Sequence, residues 1–457
     1  MGLFHKIGQF REARLGVKHC TFDPDGPGVV RIHLIPPRFR LFGNADHIVI
    51  LNGYYLLPLG YSPAVTLSAF MREVNALGKR ELDDEDYEGI VRRAVAKASR
   101  VYPLTPKKVI REDLGALLDI LFAVAKGEDA GVDIEKLSIR KYAKNMTAPH
   151  RVDLMVSAMT DSAGNWKCNQ KCLFCYAAGE PLSAGKEMTT EEWQEAIRRL
   201  EKAGVPMLTF TGGEPTCRED LCTLIADAKR FVTRLNTNGV LLNEALCQKL
   251  RDASLDSVQI TLYSHDEDTH NALVGCAHFK DTVRGIQNAV KAGLDVSVNT
   301  PLCQKNADYL ETLAFIRSIG VRYVTVSGLI CTGTGEANHA AYDLPSQTLF
   351  NILRTAKAYC QENGMEIDFT SPGLIEKARL EEIGMNPPAC GAALSNMAIS
   401  PDGTVIPCQS WLRAGAGLGN ILTDDFGHIW RAPLCQKLRA MTEEEALGCP
   451  FRKGGEK

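Results

Sequence analysis

Short apolar runs alternate with amphipathic stretches most regularly between residues 150 and 371 of the chain. The apolar runs are only a few residues long and rich in β-branched side chains, which is typical of buried parallel strands. They predict six strands: Asp153–Ala158, Pro206–Thr211, Thr233–Asn236, Ser257–Tyr263, Asp295–Asn299 and Tyr323–Leu329. Strands and helices that follow each other in this way predict parallel βαβ units with right-handed crossovers.

The amphipathic stretches between these runs carry helix-boundary signals. Thr189 and Glu192 form a capping-box pattern at the start of the first stretch. Gly204 suits the left-handed residue that ends this helix, and Gly293 ends a later helix in the same way. About six strand–helix units fit, which is fewer than the eight of a complete barrel. The fold class predicted here is α/β, with a partial (β/α)6 barrel.

The two ends of the chain read differently, so three domains are predicted: 1–149, 150–371 and 372–457. The first is a small α+β domain with a Gly-rich, acidic linker at Gly127–Asp133. Its two strands and three helices are predicted at His47–Leu51, Tyr54–Leu57, Ala64–Ala76, Tyr87–Ser99 and Arg111–Ala125. The last domain has little periodic structure and contains four cysteines, namely Cys390, Cys408, Cys435 and Cys449.

Composition limits the classes of partner. The 457 residues are 45% hydrophobic and 23% charged, with a formal net charge of −3, which suits a soluble globular protein. Such a charge favours neither nucleic acid nor an anionic membrane as a partner. The sequence shows no apolar run of about 18 residues and no signal-peptide pattern, so a cytoplasmic location is expected.

The cysteine content changes this picture. Fifteen cysteines are an odd number, and without a secretion signal they argue against a disulfide framework. Cys222, Cys247 and Cys360 lie within helical patterns, where a free cysteine packs like a small hydrophobic residue. Cysteines that cluster in a reducing compartment indicate metal or redox chemistry instead.

One such cluster, Cys168, Cys172 and Cys175, follows the first barrel strand. Three thiolates within eight residues converge on one iron–sulfur cluster only if the loop wraps around it and turns backbone N–H groups toward the sulfurs. Three ligands for the four irons of a [4Fe–4S] cluster leave one iron open, as in a catalytic metal site. A structural zinc loop and an electron-transfer cluster are the alternatives.

This CxxxCxxC motif, with the aromatic Phe174 before its last cysteine, resembles the radical S-adenosylmethionine (SAM) superfamily across residues 150–340. The resemblance implies that the open iron of a [4Fe–4S] cluster binds SAM through its amino and carboxylate groups. It also implies that reductive cleavage of SAM gives a 5′-deoxyadenosyl radical, which abstracts a hydrogen atom from the substrate.

The second strand ends in Gly212, Gly213, Glu214 and Pro215. Consecutive glycines at a strand end permit close approach of the backbone to a ligand, and Glu214 provides an anion for an ammonium group. In the family, a GGEP element at this distance from the cysteine loop binds the amino group of SAM.

Other positions resemble the family less specifically. Thr261 and Tyr263 lie where the family contacts the ribose, and Asn299 follows on the fifth strand. Gly333, after the sixth strand, suits the loop beside the adenine, and the Asn238-Gly239 dipeptide resembles a family turn. For each of them an ordinary turn glycine or polar strand end is the alternative.

The C-terminal cysteines resemble the SPASM and twitch extensions of radical SAM enzymes, which carry auxiliary [4Fe–4S] clusters. Cys390, Cys408 and Cys449 match that order, with Asp402-Gly403 as a predicted hairpin turn between the first two. Because the chain ends soon afterwards, one auxiliary cluster is expected, as in the shorter twitch form. Arg452 occupies the position of a usual ligand, so the fourth ligand is Cys435 or a non-cysteine group. Cys435 also fits core packing, and a zinc site is the alternative for the whole set.

The N-terminal domain loosely resembles the PqqD-like peptide-recognition module, in which a strand edge pairs with a leader peptide. An unrelated domain packed on the barrel is the alternative. The expected partners are thus a precursor peptide and an electron donor such as flavodoxin or ferredoxin. A small-molecule dehydrogenase, a cofactor-maturation enzyme and a non-catalytic electron carrier are the competing functions. No catalytic acid or base is identified, since Glu336, His339 and Asp368 fit solvated or capping roles.

Overall fold

The computed structural model describes residues 18–22, 30–36, 47–77, 83–132 and 137–449. The chain divides into two compact units. The N-terminal unit comprises Met1–His150, Leu200–Pro206 and Arg230–Val232, and the barrel unit comprises Arg151–Arg199, Met207–Lys229 and Thr233–Lys457. The cysteine-bearing C-terminal segment therefore belongs to the same unit as the barrel strands, and a separate domain from residue 372 stays a prediction.

The N-terminal unit combines an antiparallel sheet with helices. Its strands pair in the order β1 (Lys18–Phe22), β2 (Val30–Ile35), β3 (His47–Leu51) and β4 (Tyr55–Leu59). Asn52 and Gly53 both have positive φ and form the tight turn between β3 and β4. The helices are α1 (Tyr61–Ala76), α2 (Asp84–Ala98), α3 (Lys107–Lys126) and the short α4 (Ile139–Tyr142). Gly127 caps α3 in the left-handed conformation at the start of the predicted linker, whose Asp133 lies outside the described residues.

The apolar faces of these elements form one core. The sheet contributes Ile32, Val49 and Leu51, and the helices contribute the fully buried Leu67, Phe70, Ile90 and Leu118. This arrangement is an α+β unit with helices packed on a sheet.

The barrel unit is built on a sheet of parallel pairs. Its strands are β5 (Arg151–Ser157), β6 (Met207–Gly212), β7 (Val232–Thr237), β8 (Ser257–Thr261), β9 (Asp295–Pro301), β10 (Tyr323–Ser327) and β11 (Glu366–Phe369). They lie in sequence order, and the β5–β6, β7–β8, β8–β9, β9–β10 and β10–β11 pairs are parallel. The six predicted strands are confirmed to within two residues at each end, and β11 is an addition.

Helices connect these strands as predicted. They are α5 (Thr190–Ala203), α6 (Leu221–Asp227), α7 (Glu244–Asp252), α8 (Glu267–Val274), α9 (Phe279–Lys291), α10 (Tyr309–Ser318), α11 (Thr334–Tyr342), α12 (Ser346–Glu362) and α13 (Lys377–Glu382). The Thr189–Glu192 capping box at the start of α5 is confirmed by reciprocal bonds of 2.8 and 3.2 Å. Gly204 and Gly293, at the ends of α5 and α9, have positive φ as predicted.

The C-terminal segment extends the barrel sheet. It contributes β12 (Asn396–Ile399), β13 (Thr404–Ile406), β14 (Gly419–Asn420), α14 (Phe426–Trp430) and α15 (Pro433–Arg439). The predicted hairpin is confirmed, because Ala398 pairs with Ile406 across the Asp402-Gly403 turn. In addition, β12 pairs in parallel with β5, which the sequence did not predict. Throughout the described ranges, no helix combines the length and the apolar character needed to span a membrane.

Candidate active site

A cavity of about 490 Å³ lies within the barrel unit, in the size range of small-molecule and cofactor sites. Its lining includes all three cysteines of the CxxxCxxC loop and the inward-facing side chains of the parallel strands. Of the predicted site residues, it contains Cys168, Cys172, Cys175, Phe174, Gly212, Gly213, Glu214, Thr261, Tyr263 and Asn299. The structure thus brings these positions, which are spread over 132 residues of sequence, to one space.

The three cysteines fit a thiolate-ligated cluster. Burial raises the pKa of Cys168 to about 12, and the carboxylate of Glu214 and the thiol of Cys175 act in the same direction. Burial likewise raises the pKa of Cys172, with Cys175 and Cys168 as its next causes. Such thiols stay protonated until a cation displaces their protons. Backbone N–H groups of Gln170 point at the Cys168 sulfur and those of residues 177 and 178 at Cys175, as the wrapped loop required.

The end of α8 fastens one side of the cysteine loop. The backbone N–H of Lys171 donates to the carbonyl of Val274 at 3.0 Å, and that of Leu173 donates to Leu273 at 2.9 Å. Gly275 follows with φ +68°, and a Cβ atom there would lie 2.6 Å from the carbonyl oxygen of Lys171. Only glycine therefore allows this close approach.

The start of α11 fastens the other side of the loop. The Thr334 N–H donates to the carbonyl of Cys175 at 3.0 Å, and the Thr334 hydroxyl lies 3.3 and 3.2 Å from the carbonyls of Cys172 and Cys175. Asn338 donates to the Leu173 carbonyl at 2.9 Å. Gly333, expected beside adenine, has φ +58° and lies against the loop, where a Cβ atom would be 2.4 Å from the Cys175 carbonyl oxygen. The cavity wall after β10 is instead formed by residues 328–330.

The glycines of the GGEP element lie against β5 and the residues after it. Gly212 has φ +133°, and a Cβ atom there would lie 2.3 Å from the carbonyl oxygen of Ser157. A Cβ atom on Gly213 would lie 2.8 Å from the carbonyl oxygen of Ala158. Pro215 is buried and begins a 3₁₀ turn. These glycines are thus required for packing of the chain as well as for space beside the cavity.

Glu214 is buried, and its carboxylate already accepts four hydrogen bonds. Thr216 donates through its N–H at 3.0 Å and its hydroxyl at 2.5 Å, and Thr237 donates through its hydroxyl at 2.6 Å, all to Oε1. The Asn238 N–H donates to Oε2 at 2.9 Å. Burial raises the pKa of Glu214, and these donors oppose that shift. Oε1 already has three of these donors and Oε2 has one, so Oε2 retains acceptor capacity.

Aromatic and polar side chains complete the upper wall. Phe174 is buried, and its ring centroid lies 5.4 Å from that of Tyr342 in an edge-to-face arrangement. The Asn299 Oδ1 accepts a 2.9 Å bond from the hydroxyl of Thr325. The Asn238 amide donates to the Asn169 side chain at 2.6 Å, which ties the predicted turn to the cysteine loop.

Sequence reasoning missed a set of polar residues deeper in the barrel: Arg151, Thr209, Arg234, Asn236, Gln259 and Tyr323. Arg151 pairs with Asp153 at 2.8 Å, whereas the Arg234 Nε makes a 3.4 Å bond to the Ser257 hydroxyl. Burial, followed by Arg151, lowers the pKa of Arg234. Alternation along each strand is the signal that points to such residues, because every second side chain faces the barrel interior.

The three polar residues considered as a catalytic acid or base, Glu336, His339 and Asp368, have different surroundings. Asp368 lines the cavity and accepts a 2.5 Å bond from the Tyr323 hydroxyl. Glu336 pairs with Arg413 at 3.2 Å in an exposed position. His339 pairs with Asp343 at 3.2 Å. Of these three residues, Asp368 is therefore the one that lines the cavity.

The structure also brings Cys390, Cys408 and Cys449 together. Burial raises the pKa of Cys408 to about 12, and the thiols of Cys390 and Cys449 act in the same direction. The N–H of Ser410 points at the Cys408 sulfur. Three thiols with a backbone donor fit an iron–sulfur cluster. Arg452 lies outside the described residues.

Cys435 has different surroundings. It is fully buried on α15, and burial raises its pKa while the side chain of Arg439 opposes that shift. The three other C-terminal cysteines do not contribute to this shift, in contrast to Cys408. The geometry therefore favours core packing, which the sequence left open, over ligation by Cys435.

Tyr176 interacts electrostatically with thiols of both cysteine sets. Burial raises its pKa, and the thiol of Cys175, the carboxylate of Asp153 and the thiol of Cys408 act in the same direction. Its hydroxyl bonds the side chain of Thr211. One residue of the cysteine loop is thus within electrostatic reach of both cysteine sets.

Family models match the two cysteine regions separately. The radical SAM superfamily model matches residues 167–316, and the SPASM model, an iron–sulfur cluster-binding domain, matches residues 390–450. Residues 167–316 therefore form a radical SAM domain, and residues 390–450 form a SPASM domain. The cofactors of these two domains are a [4Fe–4S] cluster with SAM and an auxiliary iron–sulfur cluster.

Relatives and solved structures agree with this assignment. The chain is 29% identical over 284 residues to a PqqA peptide cyclase of Granulibacter bethesdensis. This match covers 60% of the present chain and 74% of the cyclase. Streptococcus suis SuiB bound to its precursor peptide SuiA superposes with a TM-score of 0.58 at 16% identity, covering 87% of this chain and 88% of SuiB. Native anSMEcpe with bound AdoMet gives a TM-score of 0.51 at 17% identity, covering 66% of this chain and 87% of that chain. The two structures share the fold.

Proposed function

We propose that this radical SAM enzyme modifies a ribosomally synthesised peptide by crosslink formation, epimerisation or oxidation. The observation that carries the proposal is the sequence relationship to a PqqA peptide cyclase, which extends over 284 residues. When bound and reduced, the cluster supplies the electron that cleaves SAM, and the resulting radical removes a hydrogen atom from the substrate. The protein contributes binding, orientation and exclusion of water.

We assign Cys168, Cys172 and Cys175 as the ligands of this cluster. The cavity beside them would hold SAM. The backbone of residues 212–215 would contact its amino group, and the polar ends of β8 and β9 would contact its ribose. Because Glu214 already holds four donors, its carboxylate mainly fixes the shape of the GGEP turn. The negative charge of Glu214 would also attract the ammonium group of SAM, and Oε2 is the oxygen that can accept a further hydrogen bond.

We assign Cys390, Cys408 and Cys449 to the auxiliary cluster, with a fourth position that a non-cysteine ligand or the substrate fills. The buried Tyr176 is within electrostatic reach of thiols of both sets, Cys175 and Cys408. The reducing electron comes from a protein donor such as flavodoxin or ferredoxin. We also propose a cytoplasmic location, which the fifteen cysteines and an oxygen-sensitive cluster support.

The N-terminal unit is proposed to bind the leader part of the peptide. In the described residues, β1 pairs with β2 and forms one end of the sheet order, so its outer edge faces away from the sheet. A peptide strand added to such an edge gains main-chain hydrogen bonds, and pockets for alternate side chains give specificity.

The test uses a candidate precursor peptide, taken from a short open reading frame if one lies beside the gene. The encoded peptide is incubated anaerobically with the enzyme, SAM and a reductant, and the product is analysed by tandem mass spectrometry, with deuterated solvent to reveal epimerisation. A modified residue in the peptide, absent with the Cys172→Ala variant, is the expected result. 5′-Deoxyadenosine without any change in the peptide, together with no binding to the N-terminal unit, would contradict the peptide proposal.

A further inference from the structure

We propose a third metal site, a mononuclear zinc site formed by Cys331, His339 and Asp343. The ligand atoms of these three side chains all lie within 4.8 Å of one another. They belong neither to the cavity lining nor to the two cysteine sets assigned to iron–sulfur clusters. All three are partly buried, so they are shielded but still accessible to an ion.

The local fold explains why these residues meet. Cys331 lies in the loop between β10 and α11, and His339 lies in the last turn of α11. Asp343 is the C-cap residue, so it lies one helical turn after His339 on the same face. The His339 Nδ1 and the Asp343 Oδ2 are 3.2 Å apart, which orients both side chains.

The donor types point to zinc. A thiolate, an imidazole and a carboxylate are the three ligand classes that Zn²⁺ takes in proteins, with Zn–S near 2.3 Å and Zn–N or Zn–O near 2.0–2.2 Å. A tetrahedral ion with these bonds needs its ligands about 3.3–3.8 Å apart. The side chains of His339 and Asp343 are 23% and 37% exposed, so they have room to rotate. Small rotations would bring the three ligand atoms from within 4.8 Å of one another to these distances. A water molecule would complete the fourth position.

The location of the proposed zinc site at α11 indicates a structural role for the metal. Its three ligands span α11, whose first turn holds the carbonyls of the cysteine loop through Thr334. A metal bound at the other end of this short helix ties it to the loop after β10. The zinc ion would thereby fix the helix that supports the radical SAM cluster loop.

A second group in the described residues provides the control. His265, Asp308 and Glu311 also converge, but they contain no sulfur donor, and Asp308 and Glu311 are exposed. The His265 Nε2 lies 3.1 Å from the carboxylate of Glu311. A His265→Ala variant therefore removes an imidazole from a comparable His–carboxylate group without touching the proposed site.

The test measures zinc in the full-length, cluster-loaded enzyme. The protein is incubated anaerobically with zinc chloride and desalted, and its zinc content is determined by mass spectrometry alongside the zinc K-edge absorption spectrum, which iron does not obscure. We expect about one zinc per chain in the wild type and in H265A, with one sulfur near 2.3 Å and the remaining ligands near 2.0–2.2 Å. In the C331A/H339A double variant, the zinc content should fall about tenfold or more, and by far more than the iron content.

Three results would overturn the proposal. These are wild-type protein without zinc, equal zinc in the double variant, and a shell of several sulfurs, which would place zinc in empty iron–sulfur sites. Because the spectrum of the wild type stands by itself, poor folding of the double variant leaves the proposal testable. Asp343→Asn provides a milder second variant, with weaker zinc binding expected.

Discussion

Asn338 donates a 2.9 Å hydrogen bond to the carbonyl oxygen of Leu173, a residue 165 positions earlier in the chain. The bond joins the helix after the sixth barrel strand to the loop that carries Cys172 and Cys175. Through it, a helix that contributes no ligand to the proposed radical SAM cluster supports the loop that carries the proposed cluster ligands.

Replacing Asn338 with alanine should weaken retention of the radical SAM cluster. The Leu173 carbonyl would lose its donor, and a hydrogen bond of this kind contributes about 1 kcal/mol. We expect iron release to a chelator to become about fivefold faster. Asn351→Ala, an exposed position on α12, is the control and should leave the rate unchanged. Equal rates in both variants and the wild type would show that α11 does not support the loop.

Gly275→Ala should prevent formation of the same cluster. Its Cβ atom would lie 2.6 Å from the Lys171 carbonyl oxygen, so the loop must move. Gly384 has the same φ of +68° with no atom within 4 Å, so Gly384→Ala carries the backbone strain without the contact. We expect cluster iron to be lost in the first variant and kept in the second, as read by absorption and iron analysis. Iron contents that do not differ would contradict this reading.

The cysteine assignments predict different iron contents for neighbouring variants. Cys408→Ala should remove the auxiliary cluster and lower the iron content from about eight to about four per chain. Cys435→Ala should keep about eight, because Cys435 is buried beside Arg439 and away from the other thiols. Loss of four irons in the Cys435 variant would instead identify it as the fourth ligand.

A buried histidine predicts a pH dependence of stability. Burial, followed by His278, lowers the pKa of His270 to about 4, and its Nδ1 accepts the N–H of Tyr263 at 3.3 Å. The unfolded chain, with a histidine pKa near 6.5, binds the proton more readily. The contribution of neutral His270 to the free energy of unfolding is therefore fully present above about pH 6.5 and is lost as the pH falls toward 4.

Between pH 7.5 and 5.5 this histidine should cost about 1–2 kcal/mol of unfolding free energy. His270→Asn keeps an acceptor for Tyr263 but has no titrating group, so its unfolding free energy should fall less over this interval. Anaerobic urea titrations at the two pH values measure the difference. A variant with the same loss as the wild type would exclude His270 as the source.

The parts of the site that depend on local sequence were predictable. The cysteine spacing, the GGEP element and the strand ends follow from motifs and periodicity, and the structure gathers them around one cavity. The same reasoning placed Gly333 beside the adenine, because a glycine after a strand has many uses and only its neighbours decide among them. The contact of Gly333 with Cys175 joins segments 158 residues apart, which no local pattern encodes.

Long-range pairing explains the other differences. The strand β12 joins β5 although 238 residues lie between Ser157, which ends β5, and Asn396, which begins β12. The extension of the sheet was therefore not visible in the sequence. The polar residues inside the barrel, among them Arg234, were predictable in principle from the alternation of side chains along each strand. They were missed because polar residues inside a barrel run against the expectation of an apolar interior.

The most direct test of the account is cleavage of SAM. The enzyme is reconstituted with iron and sulfide, reduced anaerobically with dithionite and incubated with SAM, and the products are separated by liquid chromatography. We predict 5′-deoxyadenosine and methionine from the wild type and neither from a variant with Cys168, Cys172 and Cys175 replaced by alanine. A fully loaded, reduced wild type that forms no 5′-deoxyadenosine, with or without peptide, would contradict the central claim.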